Sequence, residues 1–382
     1  MFRKIFIAGL LLVFCSVINA ETSFVADAMK PFIESGECAG MISILYNNGK
    51  EEVACLGYAD VANKRPIAMD QIFMQCSQTK GFCGVTIAIL LEEGKISLDD
   101  PVAKYLPQFK TLTVKEKDGS LKTIDGNILT IRMVMCHTGG FPFDVKKAWP
   151  AMSLQDTAKL AAKTPLAFMP GTSAKYSNTG IDIGAAVIEV VTGKPWEVFL
   201  QERVLDPLGM KDTTFWPTDE KLASRIFLYT VTPGEKAKFK KYSPWMPMPH
   251  NGPTVHPSAG AGLWTTANDQ IKFYKMLMNL GVGDNGVRIL KEATVKKYLA
   301  RRAMSKAGDY SLGLRADYSI GNIGHGGAWQ TSAYVNWKKK QLRIRIVQQQ
   351  GKHRWGSKWE DAANKFFASN EKADESYTGR LK

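Results

Sequence analysis

Ser77 and Lys80 are the residues whose types and spacing most directly suggest chemistry in this sequence. They lie in Cys76-Ser77-Gln78-Thr79-Lys80, which follows a short polar-aromatic run and opens an apolar stretch from Gly81 to Leu91. That stretch is long enough for a buried helix, and Gly94 after Glu92-Glu93 is a natural C-terminal cap. Ser77 then occupies the first turn, where backbone N–H groups have no partner inside the helix. Lys80, three residues on, shares its face, with Cβ atoms about 5–6 Å apart. An apolar surround lowers a lysine pKa, so a neutral amine can take the serine proton and make it a nucleophile. The spacing alone proves little. Ser369-Asn370-Glu371-Lys372 repeats it in a charged tail, and an ordinary helix cap explains many such serines.

Acyl transfer also needs donors for the oxyanion and groups that orient the substrate. Tyr176-Ser177-Asn178 offers a phenol and an amide that project the same way if the segment is extended. Tyr46-Asn47-Asn48 and Tyr334-Val335-Asn336 fit the same pattern, but Tyr176 follows a Pro170-Gly171 turn and precedes a helix. His325-Gly326-Gly327-Ala328 is expected at the start of a strand, where two glycines let a substrate approach the backbone closely.

The elements that must position these residues come from both ends of the chain. Thr22 to Glu34 reads as a helix, and Met41–Tyr46 with Glu51–Gly57 as a hairpin around Asn48-Gly49. From Leu98 to about Val255 the pattern is helices and loops with few strand signals, Leu154–Lys163 and Asp182–Thr192 among the helices. Ser243 to Pro257, with five prolines, reads as a stiff loop, either a lid or a plain connection. Tyr318–Ile323, Thr331–Trp337 and Leu342–Gln348 read as strands, and Trp355–Ser369 as a closing helix. The expected fold is α+β, an α/β/α sandwich: one antiparallel sheet built from N- and C-terminal segments, flanked by helices, with an inserted mainly helical subdomain. The sheet subdomain spans about 21–97 and 258–370, the helical subdomain about 98–257, and a charged tail 371–382.

At 382 residues, 45% hydrophobic and 23% charged, the chain can bury a large core. Arg3-Lys4 ahead of the apolar run from Ile5 to Phe14 make residues 1–20 a secretory signal peptide, and the expected location is exported, periplasmic or secreted. The net charge of +14 falls by two without Arg3 and Lys4, with no basic block long enough for a nucleic-acid footprint. Of six cysteines, Cys15 lies in the signal, leaving an odd number. Cys38 and Cys55 are no pair: a turn at Asn48-Gly49 sets Cys38 opposite about position 59. No spacing suggests a metal site.

The order and spacing of these pieces resemble the serine β-lactamase-related hydrolases: class C β-lactamases, D-alanyl-D-alanine carboxypeptidases and family VIII esterases. The resemblance runs from about Phe24 to Phe367. Besides the site motifs it is carried by Asp99-Asp100-Pro101-Val102, by Cys136-His137-Thr138-Gly139-Gly140 and by Pro170-Gly171-Thr172. Val191-Thr192-Gly193-Lys194-Pro195, Asp206-Pro207-Leu208-Gly209-Met210 and Ala259-Gly260-Ala261-Gly262-Leu263 add to it. It implies Ser77 as nucleophile, Lys80 and Tyr176 as the base and acid pair, and Asn178 holding both the substrate and the lysine. It also implies that the N–H groups of Ser77 and Ala328 form the oxyanion hole, with His325 and Gly327 lining it. No cofactor is implied.

One position departs from the pattern. The β-lactamases and carboxypeptidases usually carry Lys-Thr-Gly where this chain has His325-Gly326-Gly327. A mostly neutral imidazole gives up a charge-assisted grip on a carboxylate worth about 1.5–3 kcal/mol, and it gains charge only as pH falls through about 6.5. The expected activity is therefore ester or small amide and peptide hydrolysis through an acyl-serine. β-Lactamase, carboxypeptidase or D-aminopeptidase activity is the alternative, and a non-catalytic binder of cell-wall peptides the second. If a carboxylate is held by a group other than position 325, Arg343 and Arg345 on the next strand are the first candidates. Partners are small-molecule substrates and cell-wall material, with no membrane span in the mature chain. An α/β-hydrolase is excluded by the lack of a Gly-x-Ser-x-Gly elbow. His137 and His325 are thus not triad members, and His250, His256 and His353 read as surface or loop residues.

Overall fold

The computed structural model describes residues 23–145, 152–240 and 256–371. The proposed signal segment, most of the proline-rich stretch with His250, and the tail from 372 lie outside them.

Seven strands form one antiparallel sheet in the order Arg315–Asp317, Asn322–Gly326, Ser332–Asn336, Gln341–Ile346, Gly40–Asn47, Lys50–Asp60 and Arg65–Pro66. The N-terminal hairpin pairs with the C-terminal meander through Ile42↔Ile346 and Ile44↔Ile344. Alternation assigns the faces. Ile42, Ile44, Ile323, Val335, Leu342 and Ile344 join the main core with the helices Thr79–Glu92 and Ala267–Met278. Met41 and Leu45 face the other way, into a second core with Phe24–Glu34 and Gly356–Glu371. There Trp359 donates from Nε1 to Ser43 Oγ at 2.9 Å, so a buried indole N–H keeps a partner. Helices therefore cover both faces, as expected from the sequence.

The helix after Ser77 is buried on every side from Thr79 to Leu90, which is why its apolar run shows no polar face. Two expectations fail. The stretch after Leu98 holds a hairpin, Thr111–Lys115 with Leu121–Asp125, whose lysine- and threonine-rich exposed face dilutes the strand signal. The strand expected over Tyr318–Ile323 instead runs Asn322–Gly326, paired with Ser332–Asn336. His325-Gly326 therefore closes a strand rather than opening one. The hairpin register puts Gly40 opposite Gly57, and none of the five described cysteines is in a disulfide.

Candidate active site

Ser77 lies in a single 3-10 turn, Cys76–Gln78, that runs directly into the buried helix. Cys76 has φ +51°, a left-handed conformation uncommon outside glycine, and it swings the chain from strand Phe73–Met74 into the helix. Gln78 fixes the turn from two sides. Its Nε2 donates to His325 O at 3.1 Å, and its Oε1 accepts from Gln270 Nε2 at 2.6 Å.

Lys80 is fully buried, and its Nζ lies 3.2 Å from Ser77 Oγ, 2.6 Å from Asn178 Oδ1 and 2.6 Å from Gly260 O. Burial pulls its pKa down to about 7, while the negative charges of Asp182 and Asp144 pull the other way. The neutral amine that burial favours has two N–H donors and one lone pair. Asn178 Oδ1 and Gly260 O can only accept, so they take the two donors. The lone pair is left to Ser77 Oγ–H.

Each of those two acceptors is anchored by a carboxylate, the half-buried Asp144 or the buried Asp182. Asn178 opens the helix Asn178–Thr192, capped by Ser177, whose Oγ accepts from Gly180 N at 3.0 Å. Its Nδ2 donates to Asp144 Oδ1 at 3.0 Å. Gly260 N donates to Asp182 Oδ1 at 3.1 Å, and Ser258 Oγ reaches the same oxygen at 3.3 Å. His256 is buried rather than at the surface, with Nε2 3.4 Å from Asp182 Oδ2 and Nδ1 2.9 Å from Met152 O. It lies in a loop, one of the two settings expected, and the buried Asp182 carboxylate gives its ring a partner inside.

Tyr176 is hydrogen-bonded to Ser77, and burial pushes its phenol pKa well up, so it stays protonated. Lys80 Nζ lies 4.6 Å from its ring centroid. His137, given no role in the site from the sequence, packs on Tyr176 with centroids 4.5 Å apart, and its Nδ1 accepts from Ser177 N at 3.3 Å. Burial keeps that imidazole neutral. Its place in the Cys136-His137-Thr138 motif was the available signal.

On the opposite flank, His325 is buried, and burial together with Lys80 drives its pKa down to about 3. The expected charging near pH 6.5 is corrected: this imidazole is neutral across the working range. Its Nδ1 contacts Gly326 O, an acceptor, so Nδ1 carries the proton and Nε2 is an acceptor without a partner among the described residues. The two glycines differ. A Cβ on Gly327 would lie 2.4 Å from Gln75 O, whereas one on Gly326 would meet nothing nearer than Thr331 O at 3.8 Å. Gly327 thus serves the chain's own packing against the Ser77 turn, and the open side of Gly326 lies on the sheet face it shares with Ser332 and Arg345, away from His325. Ala328 follows directly in a short turn. Arg343 and Arg345 alternate with Leu342 and Ile344, so they lie on the sheet face away from His325.

The chain is similar to several known proteins. The chain is 25% identical over 308 residues to Protein Rv1367c of Mycobacterium tuberculosis, covering 77% of this chain and 75% of that one. It is 29% identical over 228 residues to the Beta-lactamase of Escherichia coli, covering 58% and 56%. Among solved structures, EstCE1, a hydrolase with promiscuous acyltransferase activity, superposes with a TM-score of 0.71 at 23% identity over 89% of this chain and 97% of that one. The profile of the Beta-lactamase family matches residues 25–360. On that match, which takes in the seven-stranded sheet and the residues of the candidate site, the chain belongs to the beta-lactamase family, a family of hydrolases.

Proposed function

We propose that this protein is an exported serine hydrolase that works through an acyl-Ser77 intermediate on esters or small amides and peptides. The observation that carries the reading is Lys80: a fully buried amine near pKa 7, 3.2 Å from Ser77 Oγ, with both its donors engaged elsewhere. Lys80 takes the Ser77 proton as Oγ bonds to the substrate carbonyl carbon. The N–H groups of Ser77 and Ala328 receive the oxyanion, a donor set worth about 3–4 kcal/mol per group in such reactions. As the tetrahedral species collapses, the bond to the leaving group breaks and the proton passes from Lys80 through the Tyr176 hydroxyl to that group. Water then reverses the sequence with Lys80 again as base. Tyr176 acts as a protonated relay, since its raised pKa unsuits it as the base.

Esters are favoured over β-lactams because position 325 offers no cation and position 326 no hydroxyl for the β-lactam carboxylate. A fluorophosphonate probe should add mass to the peptide containing Ser77, and Ser77→Ala should abolish the adduct. The mature protein should turn over short p-nitrophenyl esters faster than nitrocefin or a D-Ala-D-Ala peptide. Labelling that survives Ser77→Ala would sink the acyl-serine reading.

A further inference from the structure

Lysine and arginine are spread unevenly along this chain. Between Arg288 and Lys306 the sequence has seven of them and one acid, Glu292, a net +6 of the chain's +14. The fold gathers several of these charges around two neighbouring rings. Tyr318 and Trp337 begin two adjacent turns, and their centroids are 5.7 Å apart. Arg301 Cζ lies 3.7 Å from the Tyr318 ring and Lys296 Nζ 5.1 Å from the Trp337 ring. Lys338 Nζ reaches both, at 5.5 and 5.4 Å. The two turns are tied together: Trp337 N donates to Gly321 O at 2.9 Å, Asn336 Nδ2 to Ile320 O at 2.9 Å and Lys338 Nζ to Ser319 O at 2.8 Å. Rings and cations thus form a fixed plate. Strand Asn322–Gly326 runs from it towards the Ser77 turn, so about 14 Å of strand separates the plate from the acyl site.

Acids offset only part of this charge. Lys296 pairs with Glu292 and does most to hold that exposed carboxyl below its usual range, with Arg288 and Lys340 adding to it, so three cations share one acid. Asp317, the other acid nearby, is held low chiefly by hydrogen bonds from Ser319, and Lys338 adds to that. Arg301 stacks on a ring, with no carboxylate in ion-pair reach among the described residues. A stacked guanidinium keeps its N–H edge, which fits a phosphate bidentately. The plate also carries apolar surface. Ile320, in the first turn, is 53% exposed, and the Tyr318 and Trp337 rings are half-buried.

We propose that this plate is a docking surface for an anionic lipid bilayer. Arg301, Lys338 and Lys296 bind lipid phosphates, Tyr318 and Trp337 sit at headgroup depth, and Ile320 enters the boundary of the acyl chains. Two features select lipid over a soluble polyanion such as nucleic acid. Both rings already carry the protein's own cations, rather than standing open as platforms for bases. An exposed isoleucine gains nothing from a polyanion, whereas a bilayer removes it from water. Long cationic side chains beside an apolar tip can lay their stems on apolar surface and keep their charges at the phosphates. The inference goes beyond the chemistry at Ser77 and holds whichever ester or amide is cleaved there.

The test is flotation of the mature protein with vesicles of phosphatidylcholine alone or mixed with phosphatidylglycerol. Residues 1–20 are left off because their apolar run would itself enter lipid. The anionic vesicles should bind at least about tenfold more tightly, and high salt should erase the difference. Lys338→Gln and Arg301→Gln should each weaken that binding about fivefold and flatten its salt dependence. Ile320→Ser should weaken it by a similar factor with the salt dependence kept. All three residues are exposed and remote from the acyl site, so the thermal midpoint and the turnover of a soluble p-nitrophenyl ester should stay at wild-type values. That separates lost docking from lost folding. Equal binding to both kinds of vesicle, no binding to either, or binding that survives both charge variants overturns the proposal. So does an oligonucleotide held as tightly as the anionic vesicles, or binding that Ile320→Ser leaves untouched, since either result assigns the plate to a polyanion.

Discussion

The two flanks of Ser77 are built on opposite principles. On the lysine side, Asn178, Gly260, Asp144 and Asp182 form a closed set in which each polar group holds the next. On the strand side, the buried Nε2 of His325 has no partner among the described residues. The saturated flank fixes one geometry and one protonation state, which proton transfer needs. The unsaturated flank leaves hydrogen-bonding capacity for what binds there. Mechanism is thus written into one wall and substrate choice into the other.

The comparison breaks most readily on the saturated side. Lys80→Ala and Tyr176→Phe should each lower ester turnover by about 10²–10⁴-fold with the fold intact by circular dichroism. The double variant should lose less than the product of the two, because they act as a unit. Near wild-type rates in either variant would place the base elsewhere.

The paired glycines sharpen it next. Gly327→Ala forces a Cβ against Gln75 O and should cost about 1–3 kcal/mol in denaturant unfolding, with loss of activity as the strand end moves off the Ser77 turn. Gly326→Ala should leave stability within about 0.5 kcal/mol. Equal losses would mean that the two sides of this strand end are not distinct.

A smaller change is expected from His325→Lys, which should raise the ratio of cephalosporin to ester turnover by about tenfold, or about 1.4 kcal/mol of carboxylate binding. In the wild type that ratio should stay flat from pH 8 down to pH 5, because His325 gains its proton only near pH 3. A ratio that climbs through pH 6.5 would contradict its burial.

The finest effect is on pH dependence. Ester turnover should rise with pH through about 7 as Lys80 loses its proton. Asp182 raises the Lys80 pKa, so Asp182→Asn favours the neutral amine and should move this limb to lower pH. A limb that stays put while the plateau drops would assign Asp182 a purely structural part.

What could be seen in the sequence divides along similar lines. Ser77 and Lys80 were legible because one helical turn is a local relation, and Tyr176 with Asn178 because one extended residue separates them. The second layer was not. Asp144, Asp182, His256 and Gly260 come from separate loops and a helix, with no spacing to link them, and the Gly260 contribution is a backbone carbonyl that residue types cannot reveal. Arg343 and Arg345, the candidates to hold a carboxylate, alternate with the inward-facing Leu342 and Ile344 and so turn away from the site. The strand Asn322–Gly326 was misplaced because its two glycines weaken the β signal, and only pairing with Ser332–Asn336 fixes it.

The pairing of Gly40–Asn47 with Gln341–Ile346 also shapes how the molecule comes into being. These partners are about 300 residues apart, so the middle of the sheet is among its most non-local contacts and closes slowly. During synthesis the N-terminal hairpin must wait with a bare hydrogen-bonding edge, open to mispairing with other chains. The Ser77 helix packs on the face that this late pairing completes. A chain stopped at residue 340 therefore contains Ser77, Lys80, Tyr176 and His325 and still lacks the strand that joins the two halves of the sheet.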